Sequence, residues 1–139
     1  MPIAVNAFFT AALFGKVGFC GPDLALKIFA GWGLFNGVAG YFATEPFMKG
    51  WEAPLNTDVE KAMAKFFCGV LACTSVMPAA LAFKGATTLE AIAYSYGAFA
   101  LTQADGLYIS KTQDTIGADK NAGLFWLVVQ VATVGFCLF

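Results

Sequence analysis

Four apolar stretches, each roughly the length needed to span a bilayer, constrain this chain more than any other feature. They run from about Leu24 to Ala43, Ala62 to Phe83, Leu89 to Ile109 and Asn121 to Phe139. A helix needs roughly 20 predominantly apolar residues to cross a hydrocarbon core, at about 1.5 Å per residue. In water these stretches would have to bury one another. A chain of 139 residues cannot do so, because small domains leave much of their surface exposed. Composition agrees: 59% of residues are hydrophobic and 12% charged, against about 25% charged in ordinary soluble domains. The expected fold is therefore all-α and integral to a membrane, a single polytopic domain with four transmembrane helices.

Ahead of the first span, PIAVNAFFTAALFGKVGF is apolar but shorter, and Gly21-Pro22 closes it. A secretory leader places basic residues before its apolar run, and none precedes Lys16 here. The expectation is an amphipathic N-terminal helix over about 3–19 that lies in the membrane interface.

Helix starts are well marked. Thr57-Asp58-Val59-Glu60 and Thr87-Thr88-Leu89-Glu90 are both T-x-x-E capping boxes, in which hydroxyl and carboxylate satisfy free backbone N–H groups reciprocally. That gives Glu60 and Glu90 a structural role. Asp23, after Pro22, is expected to cap the first span. Lys84-Gly85-Ala86-Thr87-Thr88 is so short a link that the second and third spans must be antiparallel neighbours. The two longer connections then share one side with Lys49, Lys61, Lys111 and Lys120, which the positive-inside rule assigns to cytosol, stroma or matrix.

Within the spans, Gly33 and Gly37 form a GxxxG spacing that lets a second helix approach closely. Pro78 should kink the second span, since it removes one backbone hydrogen bond and crowds the preceding turn. Tyr41, Trp51 and Tyr108 fall near predicted ends, where amphipathic rings settle at headgroup level. The 15 Phe residues exceed what a core needs and suit lipid, partner helices or flat pigments.

Charge and chemistry narrow the function by exclusion. Net charge is −1, which leaves no electrostatic footprint for nucleic acid. All eight basic residues are Lys. The lack of His removes the commonest general base and metal ligand. The lack of Arg removes the two-pronged grip on phosphate or carboxylate. No phosphate loop, nucleophile elbow or H-E-x-x-H zinc site is present, and Ser75, Ser95 and Ser110 have no His to activate them. Cys20, Cys68, Cys73 and Cys137 form no C-x-x-C, and Cys68 and Cys73 are spaced off one helical face. They read as small hydrophobes. Lys27 and Lys65 are expected to snorkel to the interface.

The polar groups inside spans are the candidate sites: Asn36, Gln103, Asp105 and Gln130. A carboxylate in mid-bilayer costs about 3 kcal/mol and is rarely idle there. Asp105, however, lies about 7 to 8 Å along the helix from Ser110, within reach of water or Lys111. It reads either as a paired carboxylate that helps end the span before Gly106, or as a ligand or proton-relay group. Asn36 and Gln130 lie deeper and must bond another helix or a ligand. In a chain without His, Asn36, Gln103 and Gln130 are also possible oxygen ligands for a chlorophyll magnesium.

GLFNGVAGYFATEPFM, a Gly-rich first span closing on Glu45-Pro46, and the tight turn after the second span resemble the small four-span DoxX-like membrane proteins. The resemblance covers about Leu34 to Phe139. It implies an architecture and no particular reaction, since functions across that group are diverse. The favoured function is a non-catalytic accessory subunit of a larger membrane complex, photosystem-associated or respiratory, in a thylakoid or mitochondrial inner membrane. Its partners would be integral membrane subunits, lipid and, in the photosynthetic case, chlorophyll or carotenoid. The alternative is a free-standing small-solute transporter or channel with Gln103 and Asp105 lining the path. A membrane enzyme would need a cofactor to supply the missing chemistry.

Overall fold

The structure is a computed structural model that describes residues 21–139. The interfacial helix expected over about 3–19, and Cys20, lie outside the described residues. The rest is helical, with no strand among the described residues. Helix α1 spans Pro22–Phe42 and short α2 spans Thr44–Gly50. Helix α3, Asp58–Ala79, runs on into a π-helical turn at Ala80–Lys84. Helix α4, Thr88–Ala104, likewise continues into a π turn at Asp105–Ile109. Four-residue α5, Thr112–Thr115, precedes α6, Lys120–Leu138.

Two of these helices are long and apolar enough to cross a membrane: Asp58–Lys84 and Lys120–Leu138. Only 22% and 6% of their most apolar windows are buried inside the protein. Core helices of a water-soluble fold are hidden by their neighbours, whereas these turn most of their apolar surface outward.

Both capping boxes form. Thr57 and Thr87 accept from the backbone N–H groups of Glu60 and Glu90, and each carboxylate accepts from the backbone N–H of its threonine. The start of α1 differs from expectation. Gly21 is the cap residue, Pro22 takes the first helical position and Asp23 sits in the first turn. Pro needs no N–H partner there and its ring pre-sets the helical φ, so the helix begins one step earlier than the carboxylate. Asp119, unremarked in the sequence, caps α6 by accepting from the Asn121 N–H at 2.9 Å. Pro78 stands inside α3, and the π turn follows it. Gly85, at φ +64°, then reverses the chain in the left-handed conformation that only Gly adopts freely.

The long helices form an antiparallel row in which α1 packs on α3, α3 on α4, and α4 on α6. The α1–α3 seam is the closest. A Cβ at Gly33, Gly37 or Gly40 would run into Ser75, Ala72 and Cys68 respectively, so the GxxxG face holds α3 at backbone distance. Cys68 meets α1, while Cys73 faces α4 with Sγ 3.5 Å from Thr102 Oγ1. The two thiols thus point to different neighbours, and both are free and buried. Ser95 ties α4 to α3 by donating to the Cys73 carbonyl at 2.8 Å.

What the row buries is small. Its hidden apolar residues are Ala25, Ala30, Ala62, Ala91, Ala93, Cys68, Cys73 and Leu107. Large side chains turn outward on every long helix, among them Phe29, Phe35, Phe67, Phe83, Leu101, Phe125 and Phe136.

Candidate functional site

The polar residues gather at one end of the row, where α1 and α4 finish and α3 begins. Asp105 is the first residue of the π turn that ends α4. Its carboxylate accepts from the Tyr41 hydroxyl at 2.5 Å, within the range of short charge-assisted O–H···O⁻ bonds. Lys65 Nζ lies 3.1 Å from the same oxygen and 4.6 Å from the centre of the Tyr41 ring. One carboxylate therefore joins α1, α3 and α4. Gly69 makes this possible, because a Cβ there would press on the Tyr41 ring at 3.0 Å.

This cluster corrects the expected partner of Asp105. Asp105 is paired, but with Lys65 and Tyr41 in place of Lys111. Lys65 bends to that carboxylate, with its side chain 24% exposed, since an opposite charge within reach compensates the ammonium. Tyr41 gives its hydroxyl to Asp105 and is only partly exposed. Nor does Asp105 end the helix. The chain continues through Gly106 as a π turn, and Ser110 returns its N–H to the Asp105 carbonyl at 2.8 Å. Such wide turns are rare and cluster at functional sites.

The three amides part company. Asn36 is buried and donates to the Trp32 carbonyl of its own helix at 2.7 Å; its amide N–H is satisfied within α1. Gln103 donates to the Gly123 carbonyl of α6 at 3.0 Å, which makes it a bond between helices. Gln130 Oε1 is buried and reached by no donor among the described residues.

Gln113, in the loop that reads as solvated sequence, is in the same condition as Gln130. Its side chain is carried inward on α5, it is 7% exposed, and its Oε1 has no hydrogen-bond partner among the described residues. An unsatisfied buried acceptor costs about 1–3 kcal/mol. Both residues line a crevice of about 170 Å³ on the face of α4 between α3 and α6, but neither oxygen is open to it. No family model, curated protein or solved structure matches the chain. The site must therefore be read from its own chemistry.

What the contacts show is bracing between helices. Asp105 is held by a phenol and an ammonium, and Gln103 by a backbone carbonyl, so the two residues that would line a solute path are engaged with the protein. Among the described residues no group of three His, Cys, Asp or Glu side chains could hold a metal ion. Ser110 and Thr112 share a 3.3 Å contact between hydroxyls, and the Ser110 hydroxyl also donates to Asp105, at 3.2 Å to its carbonyl.

Proposed function

We propose that this chain is a four-span integral membrane protein whose work is packing, as a non-catalytic accessory subunit of a larger membrane assembly. One observation carries the reading: the row hides Ala, Gly, Ser and Cys and presents Phe, Leu and Val outward on all four long helices. Soluble monomers rarely expose contiguous apolar surface on this scale, and where they do it marks a membrane or protein contact. Lipid and partner helices are the surroundings in which such a surface is stable.

Length supports four crossings. Helix α1 has 21 residues, or about 32 Å at 1.5 Å per residue, close to the thickness of a bilayer core. The 17 residues of α4 are extended by a five-residue π turn. The Tyr41–Lys65–Asp105 cluster then sits at the interface level of the loop side, where a charged pair is tolerated. Small-residue seams replace the apolar driving force that lipid does not provide.

Two experiments test the reading. Single cysteines in place of Lys49 and Gly117, in a background lacking the native thiols, should label from the same side of sealed vesicles, and one in place of Ala86 from the other. Mild-detergent native electrophoresis of the source membrane should place the chain in a band far above its 14.7 kDa mass, and that band's absorption spectrum reports whether pigments or haem accompany it. Recovery only as a free monomer would overturn the accessory role. Solute flux in liposomes that Asp105→Asn abolishes would establish transport instead.

A further inference from the structure

An open apolar groove of about 550 Å³ runs along the flank of α1 beside α3. Phe29, Trp32 and Asn36 form its wall on α1, and their spacing of three and four puts them on one helical face. Leu71 lines it from α3. Phe47 of α2 and Trp51, the residue that caps α2, stand at the loop-side end, with Phe47 against Gly40 in the last turns of α1. Asn36 brings an amide into this apolar wall. Its one hydrogen bond among the described residues goes to the Trp32 carbonyl, which leaves the amide oxygen without a donor from them.

The chain carries its own filler. Residues 1–20 join α1 through Gly21-Pro22, and Lys16 is their one charged side chain. A helix that turns back there and runs antiparallel to α1 sets residues level when they lie equally far from the turn. Leu13 then comes level with Phe29, Thr10 with Trp32 and Asn6 with Asn36. The rise from Pro22 to Asn36, and from Cys20 back to Asn6, is about 21 Å at 1.5 Å per residue, so the segment is long enough to cover the groove. Lys16 stays about 6 Å from the turn by the same measure, where its ammonium reaches the interface.

Polarity and tethering select this occupant over lipid or a separate helix. A lipid tail offers Asn36 no hydrogen bond, and an amide in a membrane seeks one from a neighbouring helix. Asn6 and Thr10 bring polar side chains to that level of α1. A covalently joined segment also competes at roughly millimolar effective concentration, ahead of any partner that has to arrive by diffusion.

We propose that residues 3–19 dock as a helix in this groove, antiparallel to α1 and with Asn6 beside Asn36, in place of lying flat in the interface. The docking goes beyond the packing role and is read within one chain, whereas that role is read on the native assembly, so either can fail alone.

Photocrosslinking of the full chain, with its native cysteines kept, tests this. Phe29→benzoylphenylalanine and Phe47→benzoylphenylalanine place a reactive ketone at two points of the groove, and Phe35→benzoylphenylalanine places one on the other side of α1, away from the groove. After irradiation in mild detergent and trypsin digestion, the first two variants should give a monomer band in which the fragment ending at Lys16 is joined to Ile28–Lys49. The Phe35 variant should lose that product while melting at the same temperature as the other two. Capture of lipid or detergent alone from Phe29 and Phe47 overturns the proposal, as does a band of doubled mass, which would seat a second copy in the groove. Equal capture of the segment from Phe35 overturns it too, since the segment would then have no fixed seat.

Discussion

The seam between α1 and α3 and the face of α4 between α3 and α6 are built from similar residues and end up as opposites. At the seam, Gly33, Gly37 and Gly40 surrender their volume to Ser75, Ala72 and Cys68. On the α4 face, Gly69, Gly106 and Gly123 also stand where a Cβ would collide, but the groups that fill them are polar or aromatic: Tyr41, Thr112, Gln113 and Gln103. Glycine admits a backbone in the first case and a side chain in the second. Backbones mate closely and leave no space, whereas long polar side chains from three helices cannot tile a surface and leave a crevice behind.

The largest break in this comparison is at the tightest point. Gly37→Val drives two methyl groups into the Ala72 backbone, which cannot move aside as a flexible side chain could. Overpacking of this kind costs about 3 kcal/mol. Thermal unfolding in mild detergent should show α1 released from α3, and a melting temperature within a degree of the parent would mean that the two helices are not mated through this face.

The clasp comes next. Asp105→Ala strands Lys65 and Tyr41 together and should cost about 2 kcal/mol, below the figure for a fully buried pair because both side chains keep some exposure. Pairing Asp105→Leu with Lys65→Met should recover most of that loss, since apolar groups of similar size can replace an ion pair without penalty. Should the double variant be no better than the single one, the carboxylate has a role other than bracing. On the same face, Gln103→Leu removes one bond between helices and should cost about 0.6 kcal/mol, the usual worth of such a contact in membrane proteins.

How far the sequence discloses all this depends on whether the signal is local. Helix positions, the two capping boxes and the glycine seam follow from spacing within one segment, and the helices form near the expected bounds. Pro22 outranks Asp23 at the start of α1 because a fixed φ is a stronger local constraint than a side-chain acceptor. The site needs contacts between segments. Lys65 and Asp105 did carry a readable cue: opposite charges at matching depth on antiparallel neighbours. Tyr41 carried none, since its headgroup-level position is equally consistent with facing outward. Gln113 carried none either, because a polar loop gives no sign that a four-residue helix will turn one of its side chains inward. The π turn at Asp105 is equally silent, as Asp-Gly reads as a helix end and here continues one.

The smallest effect isolates what glycine does when no neighbour claims its space. Gly135 lies in the last turns of α6, where an added Cβ would find nothing within 4 Å, so Gly135→Ala meets no clash. Alanine is the better helix former by up to about 1 kcal/mol in a helix interior, and near a fraying end roughly half of that should appear as added stability. The same one-carbon change that the seam cannot absorb is thus mildly favourable here, and thermal unfolding of the purified protein reads the sign. Native electrophoresis adds a second reading. If Gly135→Ala and parent are equally stable alone but the variant is lost from the large band, the open face of α6 is where a partner helix sits. If both properties are unchanged, that face meets fluid lipid, and the contact with the assembly lies on the outer side of α1, at the other end of the row.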